Sequence, residues 1–187
     1  MDRPALILVD LQNDFVSGPM KVDRAMAIVA PLQRLVTTSH LNNIPVVYSV
    51  DSHYPQDVEV VMKWGKHAIK GTEGAQVIAE LKPDEAKDYI VEKRTYSGFF
   101  ETGLDSLLRS LYRGEGAKTV VLGGLHTQLC IRHTAADAFF RGYRIVVVKD
   151  GVEAFTKEDQ EQGLKYLEHV YGARILPVDE VIWELVR

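Results

Sequence analysis

A doubly wound α/β sandwich is the fold this sequence predicts, on three observations. Short β-branched runs alternate with amphipathic stretches along nearly the whole chain. Several of the runs are continuously apolar, as in Leu-Ile-Leu-Val (6–9) and Ile-Val-Val-Val (145–148), which suits parallel strands covered on both faces. No internal repeat or low-complexity linker divides the chain, so residues 1–187 are read as one domain. The first strand, 5–10, is apolar until Asp10 closes it, and a helix-period segment follows at 24–41. Strand 45–51 ends in Asp51. Residues 52–74 carry no period but hold Trp64, three glycines and two of the six histidines, as a loop over a site would. A helix at 75–81 and a strand at 89–93 come next, then a helix at 103–112 and a strand at 119–123. The remaining elements are helix 127–141, strand 144–150, helix 157–171, strand 174–177 and helix 179–185. Six parallel strands with right-handed crossovers give the order 3-2-1-4-5-6, with a switch point between strands 1 and 4.

Composition narrows the function. The chain is 46% hydrophobic and 26% charged, with a formal charge of −4, and its Lys and Arg are scattered among acids. That distribution lacks the basic stripe a nucleic acid requires. No apolar run approaches the roughly 20 residues of a membrane span, and residues 5–9 are shorter than the about 7–15 residues of a signal-peptide core, so a cytoplasmic protein is expected. Cys130 is the sole cysteine, which excludes an internal disulfide framework and multi-cysteine metal sites. A lone cysteine is either a small buried hydrophobe or a nucleophile, and its surroundings decide.

In open α/β sheets, ligands bind beyond the carboxyl ends of the strands at the switch point. Strand 1 ends in Asp10, strand 2 in Asp51 with His53 two residues on, strand 3 in Lys93, and Cys130 follows strand 4 by seven residues. In the predicted order these ends face one crevice. Taken singly, each has a plainer reading: a strand-end acid caps a helix, and a strand-end lysine is solvated. Together they bring a carboxylate, an ammonium and a thiol to the first turn of the predicted helix 127–141, where the helix dipole and Lys93 would lower the thiol pKa. Asp10 would then act as base to the Cys130 nucleophile. Asp51 and His53, two apart at a strand end, join His67 as a second constellation. Two imidazoles and a carboxylate suit Zn²⁺, and also Fe²⁺ or Mn²⁺, although spacing alone fits three unrelated polar side chains as well. Phe15, Trp64 and Tyr96 are candidates for an aromatic wall against a small planar substrate. A non-catalytic nucleotide-binding module would use the same scaffold, but no G-x-G-x-x-G or Walker pattern follows strand 1.

The motifs Leu-Val-Asp-Leu-Gln-Asn-Asp-Phe (8–15), Lys-Arg-Thr-Tyr-Ser-Gly-Phe (93–99), Gly-Gly-Leu-His-Thr-Gln-Leu-Cys (123–130) and Thr-Ala-Ala-Asp-Ala (134–138) occur in that order. In them the chain resembles the isochorismatase-like cysteine hydrolases, which include nicotinamidases and N-carbamoylsarcosine amidases. The resemblance implies a catalytic triad of Asp10, Lys93 and Cys130, and a non-proline cis peptide before His126. It also implies an oxyanion hole of the His126 and Cys130 N–H groups, and a divalent metal, zinc foremost, on Asp51, His53 and His67. The activity it implies is release of ammonia from a small amide, nicotinamide foremost, with a carbamoyl or ureido compound as the alternative, in a homo-oligomer of two or four chains. Nicotinamidases usually carry Trp and Pro around the first metal histidine, where this chain has Ser52 and Tyr54, and a Pro and a Cys where it has Gly65 and Ala68. His126 stands where a small residue is usual, so its ring bears on the pocket.

Overall fold

Strand β1 (Pro4–Val9) lies inside a six-stranded sheet in the computed structural model of the chain, which describes residues 1–187. The other strands are β2 (Val46–Asp51), β3 (Tyr89–Lys93), β4 (Thr119–Leu125), β5 (Arg144–Glu153) and β6 (Arg174–Leu176). Their order is β3-β2-β1-β4-β5-β6 and every pairing is parallel, as the apolar runs predict.

Side-chain alternation along β1 sends Leu6 and Leu8 into one apolar core and Ala5, Ile7 and Val9 into another on the opposite face. Helices α2 (Val29–Leu41) and α6 (Val178–Leu185) cover the first core, through Leu32, Leu35, Val178 and Val181. The second lies beneath α3 (Leu104–Ser110), α4 (Arg132–Phe140) and α5 (Lys157–Tyr171), through Leu104, Leu108, Ala135 and Leu167. Helix α5 shows why its ends fall where they do. The Thr156 hydroxyl accepts the Asp159 N–H at 3.0 Å, and Gly172 ends the helix in the left-handed region.

Several boundaries differ from the sequence reading. A short helix, α1 (Asn13–Val16), turns the chain directly after β1, where none was expected. The segment read as a helix over 24–41 opens as a 3-10 turn, Ala25–Ile28, before α2 begins. The helix expected over 75–81 does not form. Asn13 N–H donates to Gln76 O and Ile78 N–H to Leu11 O, so the backbone of 76–78 is tied to the loop after β1, leaving only the 3-10 turns Glu73–Ala75 and Ala79–Leu81. The helix expected over 127–141 is divided into a wide π-type turn, Thr127–Ile131, and α4. Strand β5 runs past the expected end at 150 to Glu153, across a shift in register opposite Leu122 and Gly124. That extension brings residues 152–155 up to the carboxyl edge of the sheet.

Candidate active site

The β2–β3 register pairs Asp51 directly with Lys93, and β1 lies on the other side of β2. Lys93 Nζ therefore reaches Asp10 Oδ2 at 2.9 Å, pairs with Asp51 Oδ1, and stands 3.8 Å from Cys130 Sγ. Asp10, Lys93 and Cys130 are 0%, 1% and 3% exposed, so this charge cluster is sealed from bulk water. Asp10 adopts a left-handed φ of 52°, and its N–H donates to Ser49 O. Gln12, present in the motif 8–15 but given no role there, braces the cluster. Its side chain accepts the Asp51 N–H at 2.8 Å and donates to Asp51 O and Ala75 O, each at 2.7 Å.

Burial sets the proton affinities. It works against the Lys93 charge, but Asp10 and Asp51 outweigh it and hold the ammonium well above its ordinary range. For Asp10, burial and then the Asp51 charge push the carboxyl up to about 7, against the pull of Lys93. Burial raises the Cys130 thiol well above its usual range, the Asp10 charge raises it further, and Lys93 opposes both. The expected lowering of the thiol pKa is thus overturned. Desolvation beside a carboxylate exceeds what one ammonium and a turn give back, so the resting sulfur keeps its proton.

Cys130 sits on the turn Thr127–Ile131, and the backbone enters it through Gly124 at φ 116° and a cis Leu125–His126 peptide. A Cβ on Gly124 would lie 2.0 Å from Val9 O, so only glycine fits against β1 there. Leu129 and Ile131 N–H both return to His126 O. The His126 ring is buried, with Nε2 3.3 Å from Met20 O, Phe155 at 4.2 Å and Phe15 at 5.6 Å between centroids. Burial lowers its pKa to about 4, so the imidazole is neutral near pH 7.

The metal trio depends on the irregular segment. His53 N–H donates to Ala68 O at 2.9 Å and Lys70 N–H to His53 O at 2.8 Å, a parallel bridge that lays His67 beside His53. Asp14 Oδ2 accepts the Ala68 N–H at 2.8 Å and anchors that crossing. The two rings are 4.6 Å apart, and ligand atoms of Asp51, His53 and His67 all lie within 4.8 Å of one another. His67 Nδ1 is 2.8 Å from Gly65 O, an acceptor, so Nδ1 carries the proton and Nε2 the lone pair. His53 Nε2 is buried 3.3 Å from Asp51 Oδ2 but makes no hydrogen bond of good geometry. An orphaned imidazole nitrogen between a carboxylate and a second imidazole lone pair fits a divalent cation.

The three expected aromatics belong to a longer belt. Trp64 Nε1–H donates to Tyr96 OH at 3.0 Å, Trp64 faces Phe155 at 5.9 Å, and Tyr96 faces His133 at 5.1 Å. Phe15 joins through His126 and also meets His67 at 5.8 Å. Phe155 and His133 were not identified from sequence. The only available signal for Phe155 was its place just after a strand end, and that end lies beyond the one the sequence suggested.

Comparison with known proteins places these features in context. Residues 4–180 match the isochorismatase domain. The uncharacterized isochorismatase family protein PncA of Bacillus subtilis is 34% identical over 92% of this chain and 98% of its own. N-carbamoylsarcosine amidase from Thermoplasma acidophilum is 44% identical with a TM-score of 0.86, covering 95% of this chain and 97% of that one. A pyrazinamidase of Pyrococcus horikoshii, solved in complex with zinc, is 27% identical with a TM-score of 0.83, covering 94% and 99%.

Proposed function

The chain belongs to the isochorismatase family, and from that premise we propose that it is a cysteine-dependent hydrolase of a small amide, releasing ammonia. The single observation that carries the proposal is Lys93 Nζ held between Asp10, at 2.9 Å, and Cys130 Sγ, at 3.8 Å, in a buried cluster. Asp10, with a pKa near neutrality, takes the thiol proton as Cys130 Sγ bonds to the amide carbon and the carbonyl pair moves onto oxygen. Removing the proton during attack suits a thiol whose resting pKa is raised. The N–H groups of His126 and Cys130 receive the oxyanion. As the tetrahedral intermediate collapses, the carbon–nitrogen bond breaks and Asp10 returns its proton to the amine, leaving a thioester. Water, deprotonated by Asp10, cleaves that ester, and the proton goes back to sulfur. Lys93 keeps its charge throughout and offsets the carboxylates.

Asp51, His53 and His67 would hold the divalent metal, zinc foremost, with Fe²⁺ or Mn²⁺ as alternatives. When bound, it would supply a Lewis-acid position for a ring nitrogen of the substrate, and so orientation more than water activation. Phe15, Trp64 and Tyr96, with Phe155, would flank a flat ring. On this reading the substrate is nicotinamide or a similar heteroaromatic amide. A second reading, a carbamoyl or ureido amide, is favoured by the His126 ring, which stacks on Phe155 and takes up part of the wall. Ammonia release from nicotinamide, pyrazinamide, N-carbamoylsarcosine and a ureido acid decides between them. Turnover of the first pair alone supports the heteroaromatic reading, and of the second pair alone the carbamoyl reading. No release from any small amide, by protein with zinc bound, would remove both.

A further inference from the structure

His53 needs one particular tautomer to serve as a ligand, and the residue that imposes it lies outside the trio. Asp57 is 6% exposed. Its Oδ2 stands 3.3 Å from His53 Nδ1, accepts the Tyr54 N–H at 2.9 Å and accepts Arg94 Nε–H at 3.0 Å, while Oδ1 pairs with a terminal nitrogen of Arg94. The Arg94 guanidinium, bonded to both Asp57 oxygens, pairs with it as a carboxylate. An ionised carboxylate only accepts, and of the two ring nitrogens, each 3.3 Å from a carboxylate oxygen, Nδ1 is the one with hydrogen-bond geometry, to Asp57, and so carries the proton. The other nitrogen, Nε2, is buried beside Asp51 Oδ2 without a hydrogen bond of good geometry. Lys93, the last residue of β3, and Arg94, which follows it, divide the work: Lys93 pairs with Asp10 and Asp51, while Arg94 pairs with Asp57.

We propose that Asp57 is a positioning residue for the metal trio, fixing the His53 proton on Nδ1 and presenting the Nε2 lone pair beside Asp51 and His67, with Arg94 holding Asp57 to that task. The inference rests on the metal reading above. Carboxylates placed behind ligating histidines act this way in general, because they set both ring orientation and basicity. A plainer role, bracing the turn through the Tyr54 N–H, is separable, since an asparagine keeps an oxygen for that bond but loses the charge and the acceptor that faces Arg94.

The test is zinc affinity of the full-length chain by competition with a chromophoric chelator, for the native protein, Asp57→Asn, Arg94→Ala and, as reference, His67→Ala. Asp57→Asn is expected to weaken zinc binding about 10–100-fold, and Arg94→Ala to weaken it by a smaller factor. Nitrogen-edited spectra of the metal-free native protein at alkaline pH should find the His53 proton on Nδ1, and Asp57→Asn should give a mixture of tautomers. Native-like zinc affinity in both variants, or a native proton on Nε2, would overturn the role of Asp57 while leaving the metal site standing. If the native chain binds no zinc, the metal reading falls and this inference with it. Should Asp57→Asn fail to fold, Arg94→Ala and the native tautomer still decide.

Discussion

Two polar clusters share Asp51 and are built on opposite principles. In the first, Asp10 and Lys93 sit at strand ends and Cys130 on the turn after β4, and the charged groups pair within the chain: one ammonium lies between two carboxylates, and Asp10 also accepts the Asp51 N–H. In the second, His53 and His67 come from an irregular segment, and a buried nitrogen beside Asp51 makes no hydrogen bond of good geometry. The first has each of its charged groups paired within the chain, while the second leaves a nitrogen lone pair that a cation would fill. On the proposed reading, the groups that would react are placed mainly by the sheet, whereas the group that would orient a substrate depends on a crossing held by a few backbone hydrogen bonds.

The sharpest break between the clusters is Cys130→Ala. It should abolish amide turnover, by about 10⁴-fold or more as for other nucleophile deletions, while zinc content stays native. Ammonia release and elemental analysis on one preparation check both halves, and normal turnover would end the thiol mechanism. Next comes Lys93→Ala, which strands two buried carboxylates. Loss of one partner of a buried ion pair costs about 3–5 kcal/mol, to be read from urea unfolding, and an unchanged midpoint would show that the cluster is not held by its ion pairs. Metal removal should act on orientation alone. It is expected to slow nicotinamide or pyrazinamide turnover about 100-fold and to leave hydrolysis of a small activated ester nearly unchanged, so equal losses would mean that the second cluster takes part in the chemistry.

The smallest effect is the pH profile. Asp10 must be ionised to accept the thiol proton, and burial has raised its pKa to about 7. Activity should therefore fall about tenfold per pH unit below that value and level off above it. No alkaline decline is expected while Lys93, held well above its ordinary range, keeps its proton. A profile flat down to about pH 5 would place the catalytic base outside the buried cluster.

Most of this arrangement was legible in the residues. Apolar runs closed by Asp10 and Asp51, with Lys93 closing a third strand, announced a parallel sheet and its carboxyl edge, because strand periodicity and strand ends are local properties of sequence, while Asp51, His53 and His67 were singled out by the family resemblance rather than by spacing. Phe155 was missed because the length of β5 depends on its register against β4, which is set across the sheet. The helix expected over 75–81 was lost to hydrogen bonds with residues 11 and 13, partners far away in sequence.

By itself, then, the sequence determined the layers, the strand order and which side chains reach the carboxyl edge. Tertiary structure decided where the protons reside. The same thiol that a helix terminus and a lysine would acidify is made a weaker acid by being buried beside Asp10, and the same histidine becomes an available ligand by having Asp57 behind it. Chain order specifies which groups are present, but proton affinity follows from desolvation and from charges within a few ångströms, and only the folded chain brings those together.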